Sequence, residues 1–382
     1  MQFVFSKFEF ASIRKLVSFL CILCVLCVSI SAQQWKTLKP GIEYAEVRRE
    51  VSGKDVNMNL LRLDLKKVRL DVHHAKDSAI GTETTSSIAT RHKALAAINA
   101  GFFRLDTSQF AGDPDGLLVV DGNFLSEASN NRIQLIINNK PTITDVVMAR
   151  TVLSQSVRLG NETFGVAGVN RERKKDDLVI YTPEFGKMTL TGNEGVEAVI
   201  VKGNIVSVST EVGNTIIPKN GYVISAAGTF AANFTTAVKQ NSTVTLIRIW
   251  ADLPVELVKD REKLDAVAGV PQLIQGGRIN ITWQDERSSK AFVETRHPRT
   301  AVAKLKDGKF LMITVDGRTD ASGGIGLQDL AEYLLTLGAT DAMNLDGGGS
   351  TTMFVNGKIV NHPSDKEGER KVSDAILVTL RK

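Results

Sequence analysis

Residues 297–353 read HPRTAVAKLKDGKFLMITVDGRTDASGGIGLQDLAEYLLTLGATDAMNLDGGGSTTM, and their pattern decides the fold. Phe310 to Val315 is an apolar run of strand length, and Ala342 to Leu345 is another. Between them Leu327, Leu330, Ala331, Leu334 and Leu335 recur at helical spacing. Asp329 sits in the first turn of that helix, and Gly338 fits a C-terminal cap. Strand, helix and strand with short loops predict two parallel strands joined by a crossover. The loops leaving both strands then open on the same edge of the sheet.

Those two loops carry the unusual chemistry. The first is Asp316-Gly317-Arg318-Thr319-Asp320, and the second runs from Asn344-Leu345-Asp346 through Gly347-Gly348-Gly349 to Ser350-Thr351-Thr352. Asp307-Gly308 reads as a two-residue turn between Thr300–Lys306 and Lys309–Val315, a register that sets Arg299 opposite Asp316. His297-Pro298-Arg299-Thr300 arrives at the same edge. A second hairpin turning at Asn356-Gly357 returns Asn361-His362-Pro363 beside Ser350–Thr352.

Three consecutive glycines let a backbone approach a ligand closely and offer its N–H groups to anionic oxygens. Arg299, Arg318 and Arg370 supply planar donors matched to phosphate. Asp316, Asp346 and Asn344 supply two carboxylates and an amide suited to sugar hydroxyls and to acid–base work. The mixture fits a sugar phosphate. Taken singly, the glycines and the Asp-Gly pairs also serve as ordinary turns, and Arg299 with Asp316 as a surface ion pair worth about 0–1 kcal/mol. The carboxylates also suit a hard cation such as Ca²⁺, although their spacing lacks the regular oxygen-ligand loop.

Outward from this core the chain reads mostly as strands. Met58 to His73 alternates apolar and polar residues as half-buried antiparallel strands do, and Ala94 to Ile98 is a short strand running into Asn99-Ala100-Gly101. Asp121-Gly122 marks a hairpin between Leu117–Val120 and Phe124. Residues 145–265 continue as short β-type runs with no repeat of fixed period and no Pro- or Ser-rich linker. The fold class expected is α+β: a mixed, largely antiparallel β-sheet core with few helices and one strand–helix–strand crossover.

With 382 residues, 43% hydrophobic and 23% charged, the composition is that of a globular protein. The 31 Gly against 9 Pro exclude a collagen-like repeat. A net charge of +5 without a Lys/Arg block argues against a nucleic-acid partner. Lys7, Arg14 and Lys15 precede an apolar run from Leu16 to Ile30, and Ser29-Ile30-Ser31-Ala32 ends it in small residues. That order predicts a signal peptide over 1–32 cleaved after Ala32, leaving no membrane span and an exported protein, periplasmic, envelope-associated or secreted. All three cysteines, Cys21, Cys24 and Cys27, fall inside it, so the mature chain is expected to have no disulfide and no thiolate metal site. No coiled-coil pattern indicates an oligomeric state.

The stretch 297–353 resembles the core of the phosphodiester glycosidase family. Asn99-Ala100-Gly101-Phe102-Phe103, Asp115-Gly116-Leu117 to Asp121-Gly122, Asn361-His362-Pro363-Ser364-Asp365 and Gly368-Glu369-Arg370 match the family's pattern as well. The resemblance divides the chain into the signal peptide, a β-rich segment over 33–80 and a glycosidase-like domain over 81–382. It implies hydrolysis of the bond between an anomeric carbon and a phosphodiester oxygen, of N-acetylglucosamine α-1-phosphodiester type, giving a free sugar and a phosphomonoester. Implied as catalytic are Asp316, Asp346, Arg299 and Asn344, and as substrate-binding Asn99, His297, Arg318, Gly347, Gly348, Gly349, Ser350, Thr351 and Arg370. Nucleophile and water-activating base stay unassigned between Asp316 and Asp346. No cofactor and no catalytic metal are implied, with room for a structural divalent cation. Two rival functions keep the same residues: an envelope protein that binds an acidic polysaccharide without turnover, and a metal-dependent phosphodiesterase.

Overall fold

All six residues of the strand Phe310–Val315 are buried, as are six of the seven in Arg299–Leu305. Strands so apolar must be covered on both faces. They form the centre of an eight-stranded antiparallel sheet whose order is 36–39, 42–51, 54–63, 310–315, 299–305, 339–344, 272–275 and 278–279. The computed structural model describes residues 34–129 and 131–381, so the signal-peptide pattern of 1–32 lies outside the described residues.

A second antiparallel sheet, ordered 358–359, 353–355, 96–99, 374–380 and 68–74, packs on the first. Val302, Met312 and Met343 meet Ile98, Met353 and Ile376 in one buried cluster. A third sheet, ordered 144–149, 134–139, 265–268, 118–120 and 123–126, adds Leu118, Leu135, Ile137 and Val267 to that cluster. Residues 152–251 gather around a separate core that includes Val157, Leu178, Ile224 and Phe234. The strands of the 33–80 segment join the same sheets: 54–63 pairs with 310–315, and 68–74 pairs with 374–380.

The helix forms over Leu327–Thr336, and its Leu327, Leu330 and Leu334 are fully buried against the neighbouring strands 339–344 and 272–275. Each such side chain contributes at most about 1.5–3 kcal/mol of burial free energy. Strands 310–315 and 339–344 are each antiparallel to 299–305, which lies between them, so they run parallel to one another. The crossover is as expected, and both following loops leave the same edge.

One register differs from the sequence reading. Leu305 and Lys309 close a three-residue loop, Lys306-Asp307-Gly308, with Gly308 at φ +80°. A left-handed glycine in third position favours this longer loop over the two-residue turn. The pairing therefore slips by one, and Arg299 lies opposite Val315 rather than Asp316. The Asn356-Gly357 hairpin has the expected two-residue turn, with Phe354 opposite Ile359 and Val355 opposite Lys358.

The side chain of Asn99 stitches the first two sheets together. Its Nδ2 donates to the Asp346 carbonyl at 2.7 Å. Its Oδ1 accepts from the Thr300 hydroxyl at 2.8 Å and from the Thr352 N–H at 3.1 Å. Asn99, Thr300 and Thr352 are all buried, so removing the amide leaves polar groups unsatisfied. Asn99→Ala should lower the unfolding free energy by about 3 kcal/mol in urea denaturation; a loss below about 0.5 kcal/mol would contradict this accounting.

Candidate active site

The glycine loop is fixed from both sides. The Asp346 N–H donates to the Ala100 carbonyl at 2.9 Å, and the Gly348 N–H donates to the Pro298 carbonyl at 2.8 Å. A Cβ at Gly347 would stand 2.7 Å from that Pro298 oxygen, and one at Gly349 would fall inside the Arg370 guanidinium. Arg370 is oriented by Asp365, with Nε at 2.5 Å from Oδ2. Arg318 is exposed, in the left-handed region at φ +63°, with its guanidinium beside Gly348. Four buried polar atoms around the loop have no hydrogen-bond partner among the described residues: Asn344 Oδ1, Ser350 Oγ, Thr351 Oγ1 and Thr352 Oγ1. The Gly348, Ser350 and Thr351 N–H groups close onto the Pro298, Gly347 and Gly348 carbonyls, so the loop is a rigid turn, and the donors suited to an anion are its two flanking guanidinium groups rather than the glycine amides.

Asp316 stands at the other end of the site. Its Oδ1 accepts from the His362 N–H at 2.9 Å and from Asn361 Nδ2 at 3.4 Å. Asn361 also donates to the Thr351 carbonyl at 3.0 Å, which couples this carboxylate to the glycine loop. Burial raises the Asp316 pKa, opposed by those two donors. The carboxylate faces a cleft of about 380 Å³ whose wall includes Glu46, Arg48, Asn57, Asn59 and His362.

Asp346 is perturbed further. Burial pushes its carboxyl up to about 7, against the pull of the Ser350 hydroxyl and the Arg370 guanidinium. Ser350 faces it without completing a hydrogen bond. The negative charge of Asp374 pushes Asp346 the same way as burial. Asp374 is itself buried, accepting from the Gly101 N–H at 2.6 Å and the Ser373 hydroxyl at 2.5 Å. A carboxyl that holds its proton near neutrality is equipped to give or take one during catalysis.

Other sequence-predicted residues turn inward. Arg299 is 1% exposed and donates to the carbonyls of Phe292, Thr295 and Ile325 at 2.6, 2.8 and 3.3 Å. Its guanidinium also lies over the Phe292 ring at 4.8 Å, and burial lowers its pKa to about 10. Asn344 is fully buried, its Nδ2 donating to the carbonyls of Val270 and Leu345. Both Nδ2 and Oδ1 of Asn99 are engaged in the stitch described above. His297 bridges Ile325 through its backbone, and its ring pKa is lowered by burial and then by the Arg299 and Arg318 charges. Asp346, Gly347 to Gly349, Ser350, Arg318 and Arg370 therefore form one group, with Asp316 joined to it through Asn361.

Sequence reasoning missed the cleft wall. Glu46 pairs with Asn59 and Arg48 with Asn57 across the 42–51 and 54–63 strands, so these four share one face. Polar Asn57 and Asn59 alternating with buried Val56, Met58 and Leu60 was the available signal. Among the described residues, the one convergent group of three His, Cys, Asp or Glu side chains with metal-ligand spacing is His73, Asp77 and His92, outside this site.

Residues 194–379 match the family model described as phosphodiester glycosidase. The N-acetylglucosamine-1-phosphodiester alpha-N-acetylglucosaminidase of Bos taurus is 34% identical over 154 residues, covering 37% of this chain. That match spans only 28% of the bovine protein's length. A hypothetical protein from Synechocystis has a TM-score of 0.77 at 23% identity, covering 91% of this chain and 64% of its own. A candidate exported protein from Burkholderia pseudomallei has a TM-score of 0.71 at 24% identity, covering 86% and 75%. The two structures show that the fold is shared.

The Arg370 charge opposes the rise at Asp346, so removing it must raise that pKa further. A carboxyl-carbon NMR titration should give a midpoint near 7 for Asp346. Arg370→Ala should move the midpoint upward; an unchanged or lower midpoint would contradict the assignment.

Proposed function

From the premise that the chain carries a domain of the phosphodiester glycosidase family, we propose that it hydrolyses a sugar 1-phosphodiester to the free sugar and a phosphomonoester. N-acetylglucosamine is the sugar proposed, since the bovine relative is named for that phosphodiester. The observation that carries the reading is the junction of two charge environments: a guanidinium-flanked glycine loop beside a cleft floored by a carboxylate. The substrate's phosphodiester sits over Gly347 to Gly349, between Arg318 and Arg370. The sugar occupies the polar cleft, with its anomeric carbon toward Asp316.

In this reading one oxygen of Asp316 stays bound to the His362 and Asn361 donors while the other serves the anomeric carbon, as nucleophile or as base toward water. Asp346, protonated near neutral pH, meets the charge developing on the departing phosphate. That leaving group is weakly basic, so charge neutralisation and orientation carry more of the acceleration than proton donation. Arg299, Asn344 and Asn99 act as positioning residues: they hold the backbone from which the loop is built.

Among the described residues no helix is long and apolar enough to cross a membrane. The basic, apolar and small-residue order of 1–32 supports an exported enzyme, and the candidate exported Burkholderia protein of similar fold accords with it.

The test is release of free sugar from UDP-N-acetylglucosamine and methyl-phospho-N-acetylglucosamine. Wild type should release it, and Asp316→Asn and Asp346→Asn should each lower kcat by about 100-fold or more while keeping the native circular dichroism and Tm. Full activity in both variants would overturn the assignment. Activity lost to EDTA and restored by a divalent ion would point to metal catalysis instead.

A further inference from the structure

Two histidines and an aspartate converge on the far end of the second sheet's edge strand. His73 lies on the strand Val68–His74, Asp77 in the turn that follows, and His92 caps the helix Thr85–Arg91. Their ligand atoms all lie within 4.8 Å of one another. His92 Nε2 is 2.9 Å from Asp77 Oδ1, and His73 Nδ1 is 3.9 Å from the same oxygen. In a tetrahedral zinc site with bonds of about 2.0–2.1 Å, neighbouring ligand atoms stand about 3.3 Å apart. The observed distances bracket that value. The group opens on a cavity of about 240 Å³ whose lining includes Asp121, Asn123 and Glu184.

The hydrogen bonding here is frustrated. His92 Nε2 faces the Asp77 carboxylate, an acceptor, and Arg91 Nη1, a donor, each at 2.9 Å. One ring nitrogen satisfies only one of them. A cation between Nε2 and Oδ1 uses both lone pairs at once. Arg91 currently bonds Asp77 as well, but it also holds Glu83 through Nη2 at 2.8 Å and Nε at 3.3 Å. It keeps that anchor when Asp77 turns to a metal. The two imidazoles are stacked, with centroids 3.7 Å apart and planes tilted by 24°, so one ring must turn about χ2 for both planes to meet the ion.

We propose that His73, Asp77 and His92 bind one divalent transition-metal ion, of the class that imidazole and carboxylate select, such as Zn²⁺. The ion clamps the 85–91 helix to the 68–74 strand, with its remaining coordination position open to the cavity. This site is separate from the glycine loop and independent of the proposed reaction.

The experiment is equilibrium titration of EDTA-treated, untagged protein with ZnCl₂, alongside Co²⁺ as a spectroscopic probe. One equivalent of Zn²⁺ should bind with a dissociation constant below about 10 µM. Co²⁺ should give visible absorption bands of a four-coordinate nitrogen and oxygen site. His92→Ala and His73→Asn should each weaken binding by at least about tenfold, and Arg91→Gln, which removes the competing cation, should tighten it. The Arg91 variant keeps all three ligands, so it reports on the site even where a histidine variant folds poorly. No stoichiometric binding, or binding unchanged in His92→Ala, would overturn the proposal.

Discussion

The amide of Asn99 is the constraint on which the rest of the site depends. It is a single buried side chain with three partners, and the partners come from different parts of the chain: Asp346, Thr352 and Thr300. Two of them are the ends of the glycine loop, and the third lies on the central strand of the main sheet. An amide places donor and acceptor on two separate atoms; an ionised carboxylate has no donor, and a hydroxyl has only one atom to reach all three partners. Its burial makes each bond expensive to lose. The loop that carries Gly347, Gly348 and Gly349 is therefore held in one conformation before any ligand arrives. A loop already fixed needs no further ordering at the moment of reaction.

Arg299 performs the corresponding task on the other strand. A fully buried guanidinium is costly unless its donors are met, and here three backbone carbonyls meet them. It thereby ties the 290–294 helix and the loop at Ile325 to the start of its own strand. Arg318 and Arg370 remain near the surface of the glycine loop. The division places one arginine in the scaffold and two beside the glycine loop. The carboxyls divide similarly. Asp316 has donors on one oxygen and a cleft before it, whereas Asp346 is close to the buried Asp374 and takes a pKa of about 7. Two carboxyls in different environments take different proton loads, the usual basis for separate roles.

Much of this was legible from local chemistry. The Leu327–Thr336 helix followed from its spacing, the parallel strands from the short connections, and the Asn356-Gly357 hairpin from its turn residues. All depend on neighbours in sequence. Asp-Gly serves both two- and three-residue turns, so sequence alone leaves the Lys306-Asp307-Gly308 loop open by one residue, and that one residue sets Arg299 opposite Val315 instead of Asp316. The cleft wall was hidden for a different reason. Glu46, Arg48, Asn57 and Asn59 look like the solvent face of an ordinary hairpin until strand 54–63 is paired with 310–315. Asp374 was equally silent, since one acid in a strand of apolar residues carries no sequence signal of what lies opposite it.

The proposed reaction breaks the bond between the sugar and the phosphate oxygen, with the phosphodiester held at the glycine loop and the anomeric carbon beside Asp316. Hydrolysis in oxygen-18 water, followed by mass spectrometry of both products, tests it most directly. The label should enter the anomeric hydroxyl of the sugar, and the phosphomonoester should stay unlabelled. Label in the phosphate would mean attack at phosphorus and would rule out cleavage at the anomeric carbon.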